Sequence, residues 1–103
     1  MNDAYNPVRG KLFNSPSGSD VYEGCNIDYT GKEVTPANYM AVLRGDSGAV
    51  NGKKVLGSTK EDKVFLNFVD HGAPGLIAFP NGYLFSKDLY KTFDYMFENG
   101  LYG

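Results

Sequence analysis

Apolar and polar positions are grouped in blocks along the chain, and the blocks predict a mixed α/β protein. Residues 1–34 are polar and rich in turn-forming residues, so we expect a loop region with one or two short strands. Residues 35–45 are predicted to form a helix. Thr35 can cap its free amides, Pro36 suits the first helical position and Gly45 suits its end.

The most apolar run is residues 64–69 (VFLNFV), in which only Asn67 is polar. A continuous apolar run of this length predicts a strand that is buried on both faces, as in a parallel sheet. A short hairpin is predicted to follow, with strands over 75–79 and 83–85 joined by a turn at Pro80-Asn81-Gly82. The strand and the hairpin together form the predicted segment 63–85.

A second helix is predicted over residues 86–100. Ser86 is expected to cap its start and Asn99-Gly100 to end it. The spacing of four apolar residues places them on one helical face: Leu89, Phe93, Met96 and Phe97. We interpret residues 1–103 as a part of one domain, in which a further parallel strand is expected to follow this helix.

Composition and charge exclude several classes of function. A net charge of −2 without a basic stripe makes nucleic acid an unexpected partner. One cysteine and one histidine are too few for a zinc site, so no metal and no cofactor is expected. The sequence has no visible signal peptide and no apolar stretch long enough to span a membrane.

His71 is the first candidate for chemistry, because it follows the predicted parallel strand at its carboxyl end. Open α/β sheets place their ligands and catalytic groups at that end. Gly72 allows a sharp turn and offers a backbone N–H to a developing oxyanion. The alternative at this point is a structural histidine that is hydrogen-bonded in a polar turn.

Two further motifs are weaker candidates. Cys25 invites a Cys–His dyad, but it lies in an irregular loop where Glu23 and Asp28 disfavour a thiolate, so we interpret it as incidental. Arg44-Gly45-Asp46 matches the integrin-binding tripeptide, but it coincides with a helix end where glycine is expected anyway.

Longer segments resemble the legumains, which are asparaginyl endopeptidases, a family of cysteine proteases with a caspase-like fold. The similarity extends from about Asp3 through Tyr102 and includes residues 20–24 (DVYEG), 28–36 (DYTGKEVTP), 43–46 (LRGD) and 64–75 (VFLNFVDHGAPG). Related transamidases that attach glycolipid anchors share the His-Gly pair. They typically lack the Asp before it and the Arg-Gly-Asp after the first helix, so the legumains are the closer resemblance.

The resemblance implies an α/β fold that is part of a caspase-like sandwich, with a mostly parallel sheet flanked by helices. It implies that His71 is the acid–base group and that the Gly72 amide belongs to the oxyanion hole. The substrates would be peptides or proteins cleaved after Asn and more slowly after Asp, in a lysosome or vacuole or outside the cell. The family's nucleophilic cysteine and first strand have no match here, so we expect the chain alone to have little activity and exposed, aggregation-prone strand edges.

Two other functions remain possible from the sequence. The chain is compatible with a truncated, non-enzymatic relative that binds the protease's partners, or integrins through Arg44-Gly45-Asp46. The transamidase branch is a further alternative and would predict a membrane-bound complex, although no apolar segment supports it.

Overall fold

The computed structural model describes residues 4–103 and contains two α-helices and one three-stranded antiparallel sheet. The strands lie in the order β1-β2-β3. The predicted polar segment 1–34 begins with residues that lie outside the described part, and the remainder forms turns and a short 3₁₀ helix. The elements are a 3₁₀ helix Gly31–Glu33, α1 Pro36–Leu43, a 3₁₀ helix Gly48–Val50, β1 Gly72–Ala73, β2 Leu76–Phe79, β3 Gly82–Phe85 and α2 Ser86–Glu98.

Helix α1 begins as its sequence predicts. The Thr35 hydroxyl oxygen accepts a hydrogen bond from the Asn38 backbone N–H at 3.2 Å, and Pro36 occupies the first turn, where its missing N–H costs nothing. The Asn38 side chain in turn donates to the Glu33 backbone oxygen at 2.8 Å. These bonds connect the start of the helix to the 3₁₀ helix before it.

The predicted hairpin is confirmed. Strands β2 and β3 pair antiparallel, with Leu76 opposite Phe85 and Phe79 opposite Gly82. Gly82 has a φ of +122°, a conformation that residues with a Cβ rarely adopt, so the turn requires glycine at this position. Strand β1 was not predicted. It is two residues long and pairs antiparallel with the outer side of β2.

Helix α2 starts differently from the prediction. Ser86 does not cap the helix, because Phe85 occupies the N-cap position and Ser86 is the first helical residue. The reason is that β3 runs directly into α2, so Phe85 pairs with Leu76 while it also begins the helix. The Ser86 backbone N–H is satisfied by the Gly75 carbonyl oxygen at 2.8 Å.

The hydrophobic core lies where the two helices meet the hairpin. Its buried apolar residues come from α1, the second 3₁₀ helix, both long strands and α2: Ala41, Leu43, Val50, Phe79, Leu84 and Met96. Thr92 is buried among them and donates its hydroxyl hydrogen to the Asp88 carbonyl oxygen at 2.9 Å. Phe97 was predicted on the same helical face as Met96, but it is 70% exposed and its ring contacts that of Tyr102.

Residues 64–69 do not form the predicted strand, because no strand of the described residues pairs with them. A strand exists only where its backbone groups find a ladder partner. The segment is not buried on both faces either: Phe65 is 89% exposed and Val69 is 87% exposed. Phe68 is half-buried and faces the opposite way, so the side chains alternate as they do in a strand that lacks its neighbours.

The fold class is therefore α/β, but the three strands of the described chain pair only antiparallel. The mostly parallel sheet of a sandwich stays a prediction. Within residues 4–103, no helix has the length and apolar character needed to cross a membrane.

Two acidic side chains fix loops by accepting backbone hydrogen bonds. Asp20 accepts from the N–H groups of Leu12 at 2.9 Å and Tyr22 at 3.0 Å, and the bond from Leu12 is the main reason that its pKa lies below the usual value. The Thr59 backbone N–H at 2.8 Å and the Thr59 hydroxyl at 3.0 Å likewise lower the pKa of Asp62. The hydrogen bonds to Asp20 and Asp62 favour the ionised form of each carboxylate. The conformation of the two loops therefore depends on these side chains being deprotonated.

The two phenylalanines on opposite faces of residues 64–69 give a matched test of the alternation. Phe68→Ala removes a ring that lies 5.9 Å from the Tyr39 ring and 5.1 Å from the Phe79 ring, so we expect a loss of about 2 kcal/mol in the free energy of unfolding. Phe65→Ala should change it by less than about 0.5 kcal/mol and reduce aggregation. Urea unfolding measures the change in stability, and light scattering measures aggregation. Equal losses of stability in the two variants would contradict the alternation of buried and exposed side chains along residues 64–69.

The ion pair between Glu33 and Lys53 predicts an acid-dependent contribution to stability. Lys53 Nζ lies 2.7 Å from both carboxylate oxygens and lowers the pKa of Glu33 from its ordinary 4.5. A lowered folded-state pKa stabilises above the unfolded value, and the contribution is lost as the pH falls through the folded pKa. Lys53→Met should therefore shift the urea midpoint more at about pH 6 than at about pH 3.

Lys54→Met is the control for this experiment, since Lys54 Nζ lies 3.6 Å from Asp28 in a more exposed pair. Its effect on the midpoint should be smaller at both pH values. A Lys53→Met effect that does not change with pH would show that the ion pair does not act through Glu33 ionisation.

Candidate active site

His71 is held by its backbone, while its side chain is exposed to solvent. Its carbonyl oxygen accepts a hydrogen bond from the Ala78 N–H of β2 at 2.8 Å. Its own N–H donates to Asp70 Oδ1 at 2.6 Å. The imidazole is thus accessible to solvent, and the peptide that carries it is attached to the sheet.

The direction of the Gly72 N–H follows from this attachment. None of the described peptide bonds is cis, and in a trans peptide the carbonyl oxygen and the next N–H point in opposite directions. Because the His71 carbonyl points at Ala78, the Gly72 N–H points away from β2. Strand β1 is at the edge of the sheet, so this amide faces the side on which no described strand lies.

Aromatic packing fixes the chain on both sides of the His71 attachment. The rings of Tyr39, Phe68 and Phe79 form one cluster with centroid separations of 5.1–5.9 Å. Phe68 comes three residues before His71, and Phe79 directly follows Ala78. Helix α1 therefore supports the candidate site through Tyr39, although none of its residues belongs to the site.

Cys25 lies in a separate loop. Its Sγ donates to the Val21 carbonyl oxygen at 3.6 Å and its N–H to the Tyr22 carbonyl oxygen at 3.3 Å. Within residues 4–103, no hydrogen bond or ion pair joins this loop to His71. The structure thus brings His71 and Gly72 together and leaves the thiol in its own turn.

Arg44-Gly45-Asp46 ends helix α1. The Gly45 N–H donates to Val42 O at 3.2 Å and the Asp46 N–H to Ala41 O at 2.9 Å, while Gly45 has a φ of +70°. This is the Schellman arrangement, which needs glycine at that position. Asp46 Oδ1 also accepts the Ala49 N–H at 3.0 Å. The backbone of the motif and the Asp46 carboxylate are engaged in the fold, not presented as a free loop.

Ala78, the residue that holds the His71 carbonyl group, was not predicted from the sequence. The Pro74-Gly75 pair was a sequence signal for this contact, because it indicates a tight turn that brings the chain back soon after Gly72. In the structure Gly75 has the φ of +80° that such a turn uses. The described residues contain no group of three or more His, Cys, Asp or Glu side chains that would hold a metal ion.

Comparison with known proteins identifies the family. The model of the Peptidase C13 family matches residues 1–103. The chain belongs to this peptidase family. It is 53% identical to the legumain of Mus musculus over 104 residues and 50% identical to the hemoglobinase of Schistosoma mansoni over 97 residues. It is also 42% identical to the vacuolar-processing enzyme beta-isozyme of Arabidopsis thaliana over 104 residues.

These matches cover nearly all of this chain but a small part of each relative. The alignments include 98%, 94% and 98% of the chain, and 24%, 22% and 21% of the respective relatives. The C13 chain therefore spans about a quarter of the length of the curated proteins that it matches.

Proposed function

We propose that the chain is the catalytic-histidine part of a legumain-type cysteine endopeptidase, which cleaves peptide bonds after Asn and more slowly after Asp. The observation that carries the proposal is the pairing of an exposed imidazole with an outward amide. His71 is anchored through its carbonyl group, and the N–H of the same peptide, that of Gly72, faces the open edge of β1. The family match over all 103 residues adds support.

In the proposed reaction a cysteine thiolate attacks the scissile carbonyl carbon. The Gly72 N–H stabilises the negative charge that develops on the carbonyl oxygen. His71 gives a proton to the leaving amine, and the resulting thioester is then hydrolysed by water. The two groups come from neighbouring residues, and the hydrogen bond between the Ala78 N–H and the His71 carbonyl oxygen fixes the direction of the Gly72 amide.

The thiolate is proposed to come from a part of the polypeptide outside these 103 residues. Cys25 is the only cysteine in the sequence, and its hydrogen bonds hold it in a loop of its own. We therefore infer that the 103 residues alone have little or no peptidase activity.

The exposed face of residues 64–69 supports a larger sheet. Phe65 and Val69 have no cover in the described chain, and the segment keeps the alternation of a strand. We propose that it becomes a central strand of a mostly parallel, caspase-like sheet when neighbouring strands pair with it and helices cover its outer face. Pairing would place His71 at the carboxyl end of that strand, where α/β enzymes hold their reacting groups.

An acidic compartment fits the proposed activity. One relative is named a vacuolar-processing enzyme, and we propose a lysosome-like or vacuolar location, or secretion, for this protein. Hydrogen bonds and the Lys53 ion pair lower the pKa values of Asp20, Glu33 and Asp62, so these carboxylates stay ionised in mildly acidic solution.

The role of His71 can be tested in a complete enzyme. Residues 1–103 would replace the matching segment of the Mus musculus legumain, and the chimera would be assayed on an Ala-Ala-Asn reporter peptide. We expect turnover by the chimera and a loss of about 100-fold or more in kcat for His71→Ala, because the leaving amine then lacks its proton donor. Cys25→Ala is the control and should leave kcat unchanged.

Loss of turnover in Cys25→Ala, with the protein still folded, would contradict the proposal that the nucleophile lies elsewhere. The isolated chain gives a second check. Turnover by the isolated chain that survives Cys25→Ala and disappears in His71→Ala would show that no external cysteine is needed.

The Gly72 amide can be removed without disturbing the sheet. Its N–H is not part of the pairing with β2, and proline is tolerated on an edge strand when its nitrogen faces outward. In the chimera, Gly72→Pro should lower kcat by about 100-fold or more, since the oxyanion loses a donor. Gly72→Ala keeps the N–H and is the matched control, because its Cβ would make the same close approach of 3.3 Å to Leu76 O that the proline Cβ makes. The alanine variant should therefore retain a much higher kcat than the proline variant. Equal kcat values for the two variants would exclude this role of the amide.

A further inference from the structure

A cavity of about 140 Å³ that is open to solvent on one side lies between the start of helix α1 and strand β2, apart from the candidate active site. Its walls are formed by apolar and aromatic side chains, and Phe79 is the most deeply buried of them. Those side chains are Tyr29, Val34, Tyr39, Val42 and Phe79. We propose that this cavity binds one neutral aromatic ring of a small molecule.

The size and the lining determine the class of ligand. A dry cavity of roughly 150 Å³ with aliphatic and aromatic walls is large enough to hold one benzene ring. Here three of the five apolar walls are aromatic rings, Tyr29, Tyr39 and Phe79, and aromatic pairs gain from edge-to-face contact beyond the area that they bury. A single ring therefore fits both the volume and the chemistry of the walls.

The polar groups around the cavity do not favour a charged ligand, because they already form hydrogen bonds and an ion pair with other groups of the protein. Thr35 Oγ1 accepts the Asn38 N–H, and the Asn38 side chain donates to the Glu33 backbone oxygen. Both carboxylate oxygens of Glu33 accept from Lys53 at 2.7 Å. The charges at the rim thus cancel, which favours a neutral ring over an anion or a cation.

The walls are held in place by contacts outside the cavity. The Tyr29 hydroxyl donates to Lys54 O at 2.7 Å, and Lys53 Nζ lies 4.8 Å from the centre of the Tyr29 ring. On the other side, Tyr39 and Phe79 pack at 5.6 Å within the aromatic cluster. Burial raises the pKa of Tyr39, so its hydroxyl stays neutral and adds no charge to the walls.

The position of the cavity connects it to the candidate active site. Phe79 directly follows Ala78, whose N–H holds the His71 carbonyl oxygen. A ring against Phe79 is therefore one residue from the anchor of His71. An effect on catalysis rests on the proposed function, whereas binding itself does not, and the test below measures binding alone.

Phenol is the probe, and saturation-transfer NMR with the 103-residue chain is the measurement. We expect saturable binding with a dissociation constant of about 1 mM or tighter, and weaker binding of benzoate. Val34→Phe should fill the cavity and weaken phenol binding by about tenfold or more. The control is Val21→Phe, the same change at an exposed loop residue that does not line the cavity, and it should leave the affinity unchanged.

Intermolecular NOEs in the unsubstituted protein keep the test decisive even if Val34→Phe does not fold. Phenol ring protons should show contacts to the methyl groups of Val34 and Val42. The proposal would be overturned if phenol showed no saturable binding, or if its NOEs were to methyl groups elsewhere in the protein. It would also be overturned if benzoate bound more tightly than phenol, or if a folded Val34→Phe protein bound phenol with unchanged affinity.

Discussion

Strand β2 makes hydrogen bonds along both of its edges, to β3 on one side and to β1 and the His71 carbonyl on the other. Its last residue, Phe79, packs into the aromatic cluster with α1, and its partner β3 continues without a loop into α2. Sheet, helices and candidate catalytic peptide are therefore positioned by the same four residues. If β2 shifted by one residue, Phe79 would leave the core and the peptide between His71 and Gly72 would lose its orientation.

The parts of the fold that depend on neighbours in sequence were predictable. Thr35 and Pro36 indicate a helix start, and the turn at Pro80-Asn81-Gly82 indicates a hairpin, because each signal acts within a few residues. The run over 64–69 was the strongest strand pattern in the chain and yet forms no strand. Its pairing depends on partners distant in sequence, which a local pattern cannot supply.

In the candidate site, too, the features set by local sequence were predictable and those set by distant contacts were not. The position of His71 after an apolar run, and the resemblance of the surrounding segments to the legumains, were sufficient to select it. The orientation of the Gly72 amide was not predictable, since it follows from the hydrogen bond between Ala78 and His71 and thus from the unpredicted strand β1. Ser86 and Phe97 were misassigned for a related reason: the direct join of β3 to α2 sets the N-cap, and the surroundings of the helix decide which of its aromatic residues are covered.

The fold uses the backbone of His71 and leaves its imidazole unsupported. Substituting this exposed side chain removes no hydrogen bond of the sheet, since the attachment to Ala78 belongs to the main chain. The proposed chemistry of this residue thus depends on its side chain, and its structural role depends on its main chain. A single substitution at His71 can therefore remove the proposed chemistry while the hydrogen bonds that build the sheet persist.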